Sequence, residues 1–398
     1  MLKRLSWLLL VFLILSLPLG QLGRISLGEE AGLYLSDFFA ALIVFVWLIN
    51  GLGRRRQIFL PSFWFPYFLF LLISIISLVN ALRWLSTVEW LIAGSYCLRF
   101  TIYSLLAFVV FNLTREESSL RQKLISALIA SGIILAAAGF IQLLILPDMQ
   151  LLAETAGWDP HRNRLVSTFL DPNFTGAYLV FILSWVLSRS LPRSFSGKNF
   201  YLIVILSLAL FLTFSRSAWL MFGIVIAVLG LFRARWLLGL ALVVAFCAYF
   251  FVPRVQTRLS GITDPADSAH FRLISWQRTF EIIKDNPILG VGFNGFRYAQ
   301  REKGYFSFAN PIGGHAGAGS DSSFLLVWAM TGIFGLTAFF WLMFSLTATA
   351  WRTKNRPFSL AFLAIIAGLT VESTFINSIF YPPILVLFWM SSGLLEDA

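Results

Sequence analysis

The sequence predicts an all-α integral membrane protein of about twelve transmembrane helices, with one large polar loop. Three observations carry this. Of the 398 residues, 58% are hydrophobic and only 12% charged, against about 25% charged in an ordinary soluble domain, and the mean hydropathy is +0.81. The apolar residues fall in runs long enough to cross a bilayer at roughly 20 residues per span. The basic residues gather in short clusters between those runs, the pattern that orients membrane helices. One polytopic membrane domain over 1–398 is expected, with 253–321 as a loop inside it. The net charge of +11 resides largely in those clusters and gives no reason to expect nucleic acid. Forty-one Phe and 14 Trp suit lipid-facing surfaces and interfacial belts.

The elements follow in order. MLKRLSWLLLVFLILSLPLG places two positive charges before an apolar core, as a signal peptide does. No small-x-small cleavage site follows, so this is read as an uncleaved first membrane helix. The spans are expected near 5–22, 33–52, 60–81, 92–112, 123–146, 172–190, 199–214, 217–232, 236–252, 322–350, 358–376 and 382–395. The segments around 199–232 are short, with a kinked or partly re-entrant path as an alternative. Basic clusters at Lys3/Arg4, Arg54–Arg56, Arg115/Arg121/Lys123, Arg189/Arg193/Lys198, Arg233/Arg235 and Arg352/Lys354/Arg356 hold 16 of the 30 Lys and Arg. All six fall on one side if the spans alternate, which places both termini in the cytoplasm. The opposite side then carries the stretch 147–172, the turn Ser215–Arg216–Ser217 and the loop 253–321. Within the loop, Phe271, Ile274, Phe280 and Ile283 recur at helical spacing. Asn286–Pro287 ends that helix, and Gly290, Gly292 and Gly295 mark turns. Gly313, Gly314, Gly317 and Gly319 surround His315.

Arginines dominate the candidate chemistry. Arg216 sits in FLTFSRSAWLMFG, apolar on both sides. At that depth an arginine either snorkels to the interface or has a task, and its rigid fork of donors suits phosphate oxygens. Arg272 and Arg278 are six residues apart, so on a helix their directions differ by ~120°. With Arg258, each is either a solvated anchor or a substrate contact, and Arg272 meeting Arg216 would hold a pyrophosphate. Asp321 is either a helix N-cap or a general base. His315 is either a loop histidine without a role or the base itself. Arg164, Asp171 and Asn173 form a weaker set, since Asp171–Pro172–Asn173 also reads as a helix start. Glu372, near the end of an apolar run, either pairs with an arginine or faces water. No P-loop, dinucleotide fingerprint or HExxH is present. Cys97 and Cys247 lie inside apolar runs, with no disulfide framework or metal-ligand spacing. No metal or cofactor is expected.

Four phrases together resemble the O-antigen ligase and O-antigen polymerase superfamily of bacterial inner-membrane proteins. They are VSTFLDPNFTGAYL (166–179), LTFSRSAWL (212–220), HFRLISWQRTFEIIKDNPILGVGFNGF (270–296) and SDSSFLLVWAMTGIFGL (320–336), in that order and with a large loop before the last three spans. The resemblance covers roughly 160–340. It implies a metal-independent, GT-C-like membrane glycosyltransferase whose donor is a glycan on undecaprenyl pyrophosphate. It also implies that Arg216 contacts the pyrophosphate and that Arg272 is the second arginine. Ligases of this family place His-Asn before an aromatic residue and a leucine at the position that here reads Asp321–Ser322–Ser323–Phe324–Leu325, a departure that leaves Asp321 and His315 as alternative bases.

The expected function is an inverting polymerase of lipid-linked oligosaccharide repeats in the bacterial inner membrane, its site facing the periplasm. Arg216, Arg272, Asp321 and His315 would act in catalysis, with Arg258, Arg278, Arg164 and Asn173 binding substrate. The acceptor is another glycan or lipid A–core, the surroundings are membrane lipids, and a chain-length regulator is a candidate partner. The alternatives are an O-antigen ligase that uses lipid A–core and, in another class, a flippase for lipid-linked sugars. A flippase would place ionisable residues at mid-membrane, where this sequence has few.

Overall fold

The computed structural model describes residues 2–27, 31–53, 58–150, 152, 159–191, 197–261, 268–305, 307 and 319–395. Each predicted apolar run is helical. In chain order the helices are α1 Leu2–Ser16, α2 Leu35–Gly53, α3 Trp64–Asn80, α4 Thr87–Glu116, α5 Ser119–Ile145, α6 Pro172–Ser190, α7 Gly197–Leu212, α8 Arg216–Phe232, α9 Trp236–Phe251, α10 Pro253–Ser260, α11 Ser268–Asp285, α12 Phe296–Glu302, α13 Ser323–Arg352, α14 Pro357–Glu372 and α15 Pro382–Ser392. One small antiparallel hairpin, β1 Arg24–Ser26 with β2 Gly32–Tyr34, joins α1 to α2.

Length and composition qualify five stretches as membrane spans: Leu5–Gly23, Trp64–Arg83, Thr87–Glu116, Ser119–Ile145 and Ser323–Arg352. The pair α9 and α10, bent by 94°, makes a sixth candidate. This is fewer than the roughly twelve expected at ~20 residues per span, and burial explains part of the difference. Helix α6 is covered by α5, α7, α8, α14 and α15, and it is buried without a break from Thr175 to Ser188. A helix sheltered by protein need not be apolar enough for lipid. It carries Thr175, Ser184 and Ser188, and two of these tie it to α14: Ser184 Oγ donates to the Ala361 carbonyl (3.0 Å) and Ser188 Oγ to the Pro357 carbonyl (2.6 Å). Such hydroxyls are the usual glue between membrane helices. Gly368 of α14 lies so close to α8 that a Cβ there would press on the Met221 carbonyl.

Around this centre α13 packs on α3, α15 on α4, and α2 on α1 and α4. Aromatic residues fill the seams. Tyr67 meets Phe108 and Trp389 with ring centroids 5.2 and 5.7 Å apart. The bundle has two distinct ends. At one, Arg233 reaches the Asn355 carbonyl and Asn112 pairs with the backbone of Phe59. At the other lie the hairpin, the stretch 159–171, the turn before α8, and helices α10 to α12.

Helix α13 is broken at Gly332, whose φ of 68° and ψ of −171° lie in a region that only glycine enters cheaply. Loop residues 287–292 fill the break. The Val291 N–H donates to the Ala329 carbonyl (2.9 Å), Gly292 N–H to that of Met330 (3.0 Å), and Ile333 N–H to that of Pro287 (2.9 Å). Ser77 Oγ of α3 lies 2.6 Å from the carbonyl oxygens of both Leu289 and Met330. Irregular backbone at this depth is tolerated because protein satisfies its polar groups. A second, smaller core of Ile282, Ile283, Val291, Phe296 and Met330 lies beneath the loop.

Candidate active site

Arg216 is the first residue of α8, so it lies within the first helical turn rather than in a free loop. Ser215 caps the helix, its Oγ accepting from the Ala218 N–H at 3.3 Å. The chain arrives through Phe214 at a φ of 47°, a left-handed conformation that costs a bulky residue about 1–3 kcal/mol and persists only where the surroundings enforce it. Arg164 does so: its Nε donates to the Thr213 carbonyl (2.9 Å) and its Nη2 to the Phe214 carbonyl (3.2 Å). Arg164 thus spends its fork on backbone and works as a splint for the turn. Burial and the neighbouring Arg258 push its guanidinium down to about 9, which leaves it charged at neutral pH.

Asn173 is a second brace, its Oδ1 accepting from Ser215 Oγ at 2.7 Å. Asp171 caps α6, with Oδ1 accepting from the N–H groups of Asn173 (2.6 Å) and Phe174 (3.0 Å). The starts of α6 and α8 are therefore one hydrogen-bonded unit, and Leu170, at a φ of 56°, shares its strain.

The Arg216 guanidinium points to the loop. Its Nη1 donates to the Arg258 carbonyl at 2.9 Å and its Nη2 to Ser268 Oγ at 3.0 Å. Arg258 therefore meets Arg216 through its backbone. Ser268 opens α11 and Arg272 is one turn further on, so both lie on the same face. Arg272 is within electrostatic reach of Arg216, Asp321, Glu372 and Asp171, and burial pulls its guanidinium below the usual range. Among the described residues it makes no hydrogen bond or ion pair. Arg278 lies elsewhere on α11, its guanidinium 5.1 Å from the Tyr305 ring centroid.

Two further residues on the Arg272 face hold Asp321. Ser275 Oγ accepts from the Asp321 N–H (3.0 Å), and Trp276 Nε1 donates to the Asp321 carbonyl (2.9 Å). The N-cap of α13 is Ser322, whose Oγ accepts from the Leu325 N–H at 3.3 Å, so the carboxylate of Asp321 is not spent on capping. The reason is register: the extended residue that begins the helix is one position later. Burial pushes the Asp321 carboxyl up to about 6, with Arg272 pulling it down and Asp171 raising it. Glu372 ends α14 fully buried. Its Oε1 accepts from Ser378 Oγ at 2.6 Å, and its Oε2 has no partner among the described residues. His315 lies outside the described residues.

Asp159 and His161 adjoin the site and were not singled out from the sequence. Their ligand atoms and one from Asp171 lie within 4.8 Å of one another. Burial pushes Asp159 up to about 7, helped by the charges of Asp171 and Asp321, and pushes His161 down to about 4. The trio has the donor types for a cation, but the Arg164 and Arg258 charges felt by His161 oppose one. The signal for these residues was the pair of Asp-Pro steps at 159–160 and 171–172.

Residues 201–340 match the family model described as O-antigen ligase. No curated protein matches the chain. The matched stretch runs from α7 into α13 and includes Arg216, Arg272, the residues that hold Asp321, and Asp321 itself. Over that stretch, about a third of its length, the chain is similar to the O-antigen ligase family.

Proposed function

We propose that the protein is a metal-independent glycosyltransferase of the bacterial inner membrane that polymerises undecaprenyl-pyrophosphate-linked oligosaccharide repeats at the periplasmic face. Its helices would cross the membrane about twelve times with both termini in the cytoplasm. The observation that carries the reading is the convergence of Arg216 and Arg272 on one face of the α8–α11 junction, beside Asp321, within the stretch matched by the family model. Two half-buried guanidiniums supply preorganised charge for a pyrophosphate leaving group, the task a metal ion would otherwise perform.

In the reaction the acceptor hydroxyl oxygen attacks the anomeric carbon of the donor. The bond from that carbon to the pyrophosphate oxygen breaks, and its electron pair leaves on the oxygen, facing Arg216 and Arg272. Asp321, ionised at neutral pH, takes the hydroxyl proton. One displacement inverts the anomeric centre. Arg164 and Asn173 fix the turn that carries Arg216, and Arg258 receives its guanidinium. Arg278 stands over the Tyr305 ring, elsewhere on α11.

The experiment is a gel of surface and lipid-linked glycan from cells lacking the protein, with wild type or Arg216→Ala restored. A polymerase gives single repeats on lipid A–core without a ladder in the deletion. Wild type restores the ladder, and Arg216→Ala, inserted at normal level, does not. A ladder with Arg216→Ala refutes the site. Long lipid-linked chains with nothing attached to the core indicate the ligase instead.

A further inference from the structure

Arg254, in the first turn of α10, has no part in the reaction as derived above, yet its side chain ties α10 to two of the segments that build the site. Its Nη1 donates to the Asn163 carbonyl and its Nη2 to the Arg162 carbonyl. Its guanidinium also lies over the Phe214 ring, 4.2 Å from the centroid. Phe214 is the left-handed residue that leads into Arg216. Arg254 therefore holds this turn by its ring, while Arg164 holds it by its carbonyls. Arg162 and Asn163 immediately precede Arg164, and the Leu165 N–H donates to the Leu212 carbonyl at 2.9 Å, so residues 162–165 are bound to the turn and to α10 together.

Helix α10 needs such a tie. Helix α9, which leads into it, is fully buried only at Leu237 and packs chiefly on α8, with most of its other residues exposed. The chain then bends by 94° between α9 and α10. Across the bend, Gln256 Nε2 donates to the Tyr249 carbonyl at 2.9 Å, which braces the elbow but does not place it against the site. Of the eight residues of α10 only Val255 is buried. A helix this short, with one buried side chain, has little apolar burial to fix its position.

What α10 brings to the site is the Arg258 carbonyl, about one turn beyond Arg254, which accepts from Arg216 Nη1 at 2.9 Å. The contacts close a ring. Arg216 reaches α10, α10 reaches Phe214 through Arg254, and Phe214 leads along the chain back to Arg216. An arginine held on one side by backbone enters the site already oriented, and it gives up less side-chain freedom on meeting a phosphate.

We propose that Arg254 is a positioning residue of the donor site: it latches α10 to the turn before α8, and so holds the Arg258 carbonyl where it orients the Arg216 guanidinium for pyrophosphate. The role rests on the glycosyltransferase reading above. Arg254 acts through Arg216 and not on the lipid, since its fork is spent on two carbonyls and its face on the Phe214 ring.

The test measures affinity for undecaprenyl pyrophosphate by native mass spectrometry, with the whole protein in phosphatidylcholine nanodiscs. Arg254→Gln is expected to weaken binding by about tenfold, the loss of one charge-assisted contact. Arg254→Lys keeps a cation over the ring without the fork, and falls between Arg254→Gln and wild type. Phe214→Leu removes the ring and leaves Arg254 in place, with a loss of about two- to fivefold, and it carries the test if Arg254→Gln fails to fold. The distinguishing readout is a double-mutant cycle. In Arg216→Lys, which keeps the charge and loses the fork, Arg254→Gln costs about twofold or less, because the two residues act in series. The inference is overturned if Arg254→Gln and Phe214→Leu bind as wild type does, a result that leaves the donor site standing. It is overturned too if Arg254→Gln costs as much in the Arg216→Lys background as alone, which makes its effect independent of Arg216. Wild type that binds no probe overturns the donor site and the inference together.

Discussion

The assignment of Asp321 as the base has a measurable pH signature. Burial raises its carboxyl from the ordinary 3.8 to about 6. At pH 7 about ten in eleven of these carboxyls are ionised and able to take a proton, and at pH 5 about one in eleven. Single-turnover transfer, measured with purified protein and a fluorescent lipid-linked repeat, should be flat above pH 7 and fall about tenfold per unit below pH 6. The stability effect runs the other way. A folded value above the unfolded one contributes stability that is present below the ordinary carboxylate range and lost as pH rises through about 6. Asp321→Asn should therefore abolish transfer and raise the melting temperature at pH 7.5, a trade common at active sites. A rate that stays constant down to pH 5 refutes the assignment. So does a break near 7 that Asp159→Asn removes, because Asp159 is the group at about 7 and would then be the base.

Three other expectations follow from the same geometry. Ser322→Ala removes the α13 cap and should cost about 1 kcal/mol in denaturant or thermal unfolding, with the pH break unmoved, since capping and proton transfer belong to different residues. Arg164→Gln frees the carbonyls of Thr213 and Phe214, and should lower both the melting temperature and the rate by loosening the turn that carries Arg216. Donor affinity restored by a second-site change that rigidifies this turn would support the splint. Gly332→Ala places a Cβ against the Ile288 carbonyl at a positive φ, and should cost about 1–3 kcal/mol, visible as reduced folded yield in a fluorescence-detected gel-filtration assay.

What the sequence disclosed and what it hid divide along physical lines. Apolar runs report the length of contact with lipid or core, so every helix of the bundle was legible. The position of α6 was not, because a hydropathy pattern reports how apolar a segment is and not what covers it. Arg216 and Arg272 stood out as charges that apolar surroundings make expensive, and the structure brings them together through Ser268. The divergence of Arg272 and Arg278 followed from helix geometry alone. Arg164 was legible as a candidate but not as a splint, since its partners are backbone carbonyls some fifty positions away. Asp321 looked like a cap because Asp, Ser and Ser compete for that place, and only backbone conformation decides among them. Asp159 and His161 owe their interest to burial, which no local pattern encodes.

The inlay of 287–292 in the break of α13 bears on how this protein is made and how it can be engineered. The loop becomes complete only when α3 supplies Ser77 and α13 supplies the carbonyls of Ala329 and Met330, and α13 is synthesised after the loop. The segment therefore waits, unfinished, until a later helix arrives to receive it. Loop and span also form one unit of inheritance. A chimera that exchanges 253–321 alone between relatives would leave the gap at Gly332 unfilled, whereas one that carries residues 253–352 together with the matching α3 keeps the joint whole.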